Sequence, residues 1–247
     1  AILEYFRETK GVEIHHYGDL PARSGIGSSS SFTVGLLNLI FFLRKKKISN
    51  NQLSEIAINI ESKILKEAGG WQDQIIVSHG GLNEIKFHNN KFNISKIKIK
   101  ENSKKKLDDS LVLFYTGSSR YSSDLQKIFK KKIKKLSFEL NMINQLAIEA
   151  KKIILSEKNY DEIGNLLHES WMIKKTLTNK ISNHKINELY NLGINSGAIG
   201  GKLLGAGNNG FILFYCKKNN QKKLISKLRK YIHVPFNFED KGSHLVL

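Results

Sequence analysis

The chain has 247 residues, of which 40% are hydrophobic and 25% charged. This excludes a disordered or low-complexity chain and leaves room for one large domain or two smaller ones. With 40 basic and 22 acidic residues the formal net charge is +18, yet only five basic residues are arginines, at 7, 23, 44, 120 and 229. Base reading and phosphate clamping favour arginine's bidentate fork, so the lysine excess reads as composition bias, and no nucleic-acid partner is expected. Cys216 is the single cysteine, which excludes an intramolecular disulfide and any multi-cysteine metal site. No apolar run reaches the roughly 20 residues that span a bilayer, so no membrane segment is expected.

In chain order, residues 1–10 read as the end of a helix, as though the sequence began mid-element. Val12–Tyr17 alternates weakly and predicts a strand; residues 19–31 form a turn-rich loop. Phe32–Leu43 predicts a buried helix with the stripe Phe32, Leu36, Leu39, Ile40 and Leu43. Ser49 or Asn50 caps a helix over Gln52–Ala68, stopped by Gly69, with Glu61 at the edge of its apolar face. Strands are predicted at Gly80–Phe87, Lys91–Ile99, Leu111–Tyr115 and Phe211–Tyr215. Helices are predicted at Ser122–Leu155, Ile163–Leu177, Lys185–Leu192 and Gln221–Tyr231. Phe236–Leu247 predicts one or two closing strands, and the boundary between two α+β lobes falls near residues 115–125.

Three segments carry candidate chemistry. Pro21–Ser31 holds Gly25, Ile26, Gly27 and the serines 28–31, and feeds directly into a helix. Backbone N–H groups at such a turn form an anion site, and a serine hydroxyl can ligate Mg²⁺. The Gly-Lys-Ser/Thr ending of a Walker loop is missing, and spacing alone also allows an ordinary Gly/Ser turn. In the second segment, Gly69–Gln74, Asp73 follows a helix that carries Glu61. One acid on the helix and one just past its end suit phosphoryl transfer, where one carboxylate orients a hydroxyl and another holds Mg²⁺; the bland alternative is a capping Asp and a solvated Glu. The third segment, Gly200–Gly210, is a second glycine-rich loop before a strand.

The order Pro-x-x-x-Gly-Ile-Gly-Ser-Ser-Ser, then Trp-Gln-Asp-Gln, then Lys-Leu-Leu-Gly-Ala-Gly-x-x-Gly resembles the GHMP small-molecule kinases. Residues 31–38, Leu113–Gly117 with Arg120, Leu166–Trp171 with Lys174 and Lys175, and Gly200–Tyr215 are similar to the branch acting on D-glycero-α-D-manno-heptose 7-phosphate. The resemblance implies an α+β, two-lobed fold. Residues 1–118 would form a ribosomal-protein-S5-like ATP-binding lobe and residues 119–247 a ferredoxin-like lobe. It implies ATP and Mg²⁺, with Gly25, Ile26, Gly27, Ser28, Ser29, Ser30 and Ser31 around the ATP phosphates and Ser29 and Glu61 on the metal. Asp73 would be the catalytic acid at the sugar C1 hydroxyl. Gly205, Ala206 and Gly207 would shape the site beside the sugar, with Trp71, Gln72, Gln74, Arg120 and Lys174 as further substrate contacts. The implied product is a 1,7-bisphosphate on the way to nucleotide-activated heptose, made by a cytoplasmic enzyme, with a homodimer as one assembly. Rival readings are a kinase of fucose or a related hexose, a basic nucleic-acid-binding module, and a non-catalytic kinase-fold protein. The sequence departs from the family in two places. The opening Gly-Gly-Gly-Thr-Asp turn has no counterpart, in keeping with a chain that begins mid-element, and Asn208 and Asn209 stand where glycines are usual.

Overall fold

The computed structural model describes residues 2–8, 11–22, 24–117 and 132–246. Its N-terminal part is built on helices: α1 (Ile2–Tyr5), α2 (Ser28–Leu43), α3 (Asn50–Asn59) and α4 (Gln72–His79). Ser49 starts α3 through a capping box: Gln52 N donates to its hydroxyl (3.3 Å) and its own N–H donates to Gln52 Oε1 (3.0 Å). The helix then widens into a π turn, Ile60–Ile64, and ends short of the expected stop at Gly69. These helices close over Val34, Leu37, Ile40, Leu53, Ala57 and Ile60. The predicted stripe of α2 is corrected: Phe32 is 38% and Leu43 63% exposed, while Val34 and Leu37 are fully buried. A helix this apolar on every side gives periodicity little purchase, and its neighbours choose the buried face.

An antiparallel hairpin follows, β1 (Asn83–His88) and β2 (Lys91–Lys96), turned at Asn89 and Asn90, both at positive φ (47° and 58°). Asn tolerates that conformation, which two-residue hairpin turns require. Helix α5 (Glu101–Asp108) was not expected; its sequence is almost wholly polar, with Leu107 as its buried apolar anchor.

The C-terminal part is a four-stranded antiparallel sheet in the order β4 (Gly200–Leu203), β5 (Phe211–Tyr215), β3 (Leu111–Tyr115), β6 (Ile232–Val234). β3 and β5 pair Leu111 with Tyr215 and Tyr115 with Phe211. The expected division at residue 118 falls just after β3, whose ladder lies in this sheet. A short 3₁₀ turn, Ile133–Leu136, enters α6 (Ser137–Ser156), followed by α7 (Asp161–Thr176), α8 (His184–Asn195) and α9 (Lys218–Lys227). Trp171, Leu189, Tyr190, Leu203, Ile212 and Phe214 form the centre of this part's core.

Two expected strands are absent among the described residues. Residues 12–17 are exposed and carry no ladder. Residues 235–246 run instead as an irregular strap back over α4. Ser243 N donates to Val77 O (2.8 Å), Gly81 N to Glu239 O (2.7 Å), and Asn38 Nδ2 to Ser243 O (3.0 Å). Among the described residues no helix is long and apolar enough to cross a membrane.

Gly193 in α8 lies against the Phe214 ring, and a Cβ there would fall 2.3 Å from Phe214 Cζ. Gly193→Ala is therefore expected to cost about 1–3 kcal/mol through overpacking, read as a lower urea midpoint; an unchanged midpoint would contradict this packing.

Candidate active site

The chain reaches α2 through Gly25 (φ 82°) and Gly27 (φ 77°), left-handed conformations that glycine adopts without strain. Gly27 is the N-cap and has no side chain with which to cap the turn, an arrangement suited to an external anion at the positive end of the helix. Ser31 N donates to Gly27 O (2.9 Å), so the helix begins within the serine run.

Asp73, in the first turn of α4, lies directly against this turn. A Cβ on Gly27 would stand 3.1 Å from Asp73 Cβ and 3.2 Å from its Cγ. Burial, and then the negative charge of Glu61, raise the Asp73 carboxyl above its usual 3.8.

Glu61 is not the solvated edge residue that helical periodicity allows. It is 5% exposed, placed by the π turn at the end of α3, a feature common at functional sites. Its Oε2 accepts from Ser30 Oγ (3.1 Å) and from Gln74 Nε2. Its Oε1 is buried without a hydrogen-bond partner. An orphaned carboxylate oxygen beside helix-terminal serines fits a hard divalent cation such as Mg²⁺. Among the described residues no group of three or more His, Cys, Asp or Glu side chains is set to hold a metal. A cation here would complete its shell from a nucleotide's phosphates and water, as Mg²⁺ commonly does.

The third segment closes the site from the other half of the chain. Gly200 and Gly201 belong to β4, so the loop itself begins at Leu204. A Cβ on Gly205 would fall 2.6 Å from Gly25 Cα, and one on Gly210 only 2.0 Å from Ser24 O. The two glycine loops thus meet backbone to backbone, a contact no other residue type permits. Thr116 locks the far end: its N donates to Gly210 O (2.9 Å) and its Oγ1 accepts from Gly210 N (3.1 Å). Asn208 sits at φ 71°, with Asn183 Nδ2 donating to its O (2.8 Å) and Oδ1 (3.0 Å). The asparagine is accommodated in a glycine conformation and anchored.

The structure brings Gly25, Gly27, Ser30, Glu61, Asp73, Gln74 and Gly205 into one linked set of contacts. Ser30 touches Glu61, whereas Ser29 is exposed on the same turn. Gln74 is 4% exposed and held on Glu61. Trp71 and Gln72 instead border an open groove of about 520 Å³ at the hairpin tip, with the Trp71 ring 6.3 Å from Phe87. Lys174 Nζ donates to Leu203 O (3.0 Å) and Gly205 O (2.6 Å), bracing the third loop. Arg120 lies outside the described residues. Sequence reasoning passed over Lys202, which lines a cavity with Lys174, Gly205 and Ala206; its place between glycine pairs at the start of the third segment was the available signal.

The family profile described as GHMP kinases N terminal domain matches residues 1–81, and that described as GHMP kinases C terminal matches residues 149–234. The chain belongs to the GHMP kinases. It is 29% identical to D-glycero-alpha-D-manno-heptose 7-phosphate kinase of Campylobacter jejuni, over 98% of this chain and 72% of the relative. It is 25% identical to the bifunctional fucokinase/GDP-fucose pyrophosphorylase of Arabidopsis thaliana, over 93% of this chain but only 22% of that protein. The crystal structure described as a D-glycero-D-manno-heptose 1-phosphate kinase from Bacteroides thetaiotaomicron superposes with a TM-score of 0.72 at 26% identity, covering 98% of this chain and 70% of that one. The expected α+β architecture is thus that of a GHMP kinase with both family domains.

In this GHMP kinase the raised Asp73 pKa carries a sign for stability. A carboxyl raised above its unfolded value opposes folding once the pH exceeds that value, and the penalty is complete above the folded pKa. In metal-free protein, Asp73→Asn is expected to raise Tm at pH 7, with the gain shrinking as the pH falls toward 3.8. Calorimetry across that range checks this; a variant less stable at pH 7, or a pH-independent gain, would contradict it.

Proposed function

We propose that the chain transfers the γ-phosphoryl group of ATP to the anomeric hydroxyl of D-glycero-D-manno-heptose 7-phosphate, giving the 1,7-bisphosphate for nucleotide-activated heptose. The observation that carries the reading is Asp73, seated on the Gly27 turn at the glycine-capped start of α2 and close enough to the buried Glu61 to feel its charge. A helix N-terminus for phosphates, one acid for a hydroxyl and one carboxylate with an unpartnered oxygen are the parts phosphoryl transfer needs.

In this reading the N-terminal turn of α2, with the Gly25–Ser31 loop, binds the ATP phosphates through backbone N–H groups. Glu61, oriented by Ser30 and Gln74, and the serine hydroxyls of that turn hold Mg²⁺, which when bound neutralises phosphate charge. Asp73 accepts the proton of the sugar hydroxyl as its oxygen bonds to the γ-phosphorus; the bond to the β-bridging oxygen breaks and ADP leaves with that electron pair. No covalent enzyme intermediate is required, and positioning and electrostatics supply the rate. The loop pair Gly25 and Gly205 closes the site against water.

The heptose kinase of Campylobacter jejuni supports the acceptor, while the likeness to a fucokinase keeps a free hexose as the second reading. The test is incubation with ATP, Mg²⁺ and each of heptose 7-phosphate, fucose, galactose and mannose, with products read by mass. A bisphosphate from the heptose alone is expected, and Asp73→Asn should lower turnover at least 100-fold while ADP affinity stays within about threefold. Full turnover by Asp73→Asn would overturn the mechanism, and transfer to fucose alone would replace the acceptor.

A further inference from the structure

Lys174 and Lys202 line a cavity of about 310 Å³, whose walls include Ile133, Leu136, Leu140 and Leu177 and whose edge is Gly205. Lys202 Nζ donates to Ser170 Oγ (3.1 Å), and Lys174 Nζ spends two of its three protons on the carbonyls of Leu203 and Gly205. Among the described residues neither amine has a carboxylate within ion-pairing distance; the lysines that do pair with Asp or Glu are others. Burial, reinforced by the Lys202 charge, pushes Lys174 down to about 7, and burial lowers Lys202 as well.

Two lysine amines under an apolar roof, with no carboxylate paired to either among the described residues, hold positive charge only at a cost, and that cost is offset where a ligand supplies the opposite sign. The cavity is the size of a small-ligand site. The edge residue Gly205 is in backbone contact with Gly25, two residues before Gly27, against which Asp73 of α4 is packed. A ligand reaching from Asp73 toward this cavity would have its reacting hydroxyl at one end and an anion at the other.

We infer that this cavity receives a phosphate group already present on the acceptor, with Lys174 and Lys202 as the cation pair that binds it, so that the substrate class is a sugar phosphate and not a free sugar. The inference rests on the sugar-kinase reading above. The other source of the same chemistry is a phosphate of the nucleotide.

Calorimetric titration of the full chain separates these sources, using D-glycero-D-manno-heptose 7-phosphate, the unphosphorylated heptose and ADP as probes. Lys202→Met is the informative variant, because Lys174 also braces the third loop. Wild type is expected to bind the sugar phosphate at least tenfold more tightly than the free sugar. Lys202→Met should abolish that preference and Lys202→Arg should keep it, with ADP affinity unchanged in both. In wild type, inorganic phosphate should compete with the sugar phosphate and not with the free sugar, a measurement that needs no variant. The inference is overturned if Lys202→Met binds the sugar phosphate as wild type does, if it loses ADP instead, or if wild type shows no preference for the phosphorylated sugar. Lysine-dependent binding without transfer from ATP would sink the kinase reading and leave the cavity assignment standing; transfer with lysine-independent binding would do the reverse.

Discussion

A buried carboxylate with one satisfied and one unsatisfied oxygen organises this molecule. Glu61 draws Ser30 from α2 and Gln74 from α4 onto Oε2, so that three separate helical segments converge on one charge. An unpaired charge at 5% exposure opposes folding unless something completes it. The neighbouring Asp73 shares the difficulty, since Glu61 adds to the burial that raises its pKa. Two acids held close in a partly dry site are a poor arrangement for stability alone, and a good one for gathering a cation and a hydroxyl beside phosphate.

The second constraint is steric. Gly25 against Gly205, and Ser24 O against Gly210, bring the two glycine loops within backbone contact although about 180 residues separate them. The β3–β5 ladder, with Thr116 bonded to Gly210 just beyond it, fixes the height of the third loop relative to the first. The strap formed by residues 235–246 ties the C-terminal end of α4, the helix that carries Asp73 in its first turn, to Asn38 of α2. Each of these contacts is long in sequence, and together they join the segments that carry Gly25, Gly205 and Asp73.

Much of this was legible in the sequence where local chemistry decides the outcome. Leu111–Tyr115 and Phe211–Tyr215 are short apolar runs bounded by turn residues, and both are strands over those bounds. The glycine loops announce themselves because only glycine fits their backbone-to-backbone contacts at Gly25, Gly205 and Gly210. What local pattern does not encode is partner choice. Residues 12–17 alternate as a strand does, yet no ladder partner lies beside them among the described residues. Residues 236–246 carry strand-like apolar residues, yet their hydrogen bonds go to a helix end. Gly200 and Gly201 read as loop, although β4 needs glycine there because Gly164 O and Leu213 O approach so closely. Helix α5 has no apolar periodicity to find. At the site, spacing placed Glu61 and Asp73 near one another but left Glu61 at a helix edge; the π turn that buries it is a tertiary outcome. The resemblance assigns Ser29 to the metal; the bond from Ser30 to Glu61 is a further contact that only the folded chain reveals.

The central claim is that the unpartnered oxygen of Glu61 exists to complete a divalent cation shared with a nucleotide. Electron paramagnetic resonance of Mn²⁺ titrated into the chain with saturating ADP tests it most directly, comparing wild type with Glu61→Gln. The account predicts tight nucleotide-dependent Mn²⁺ binding in wild type, weakened at least tenfold in a variant that remains folded. Equal Mn²⁺ affinity in the two proteins would contradict it.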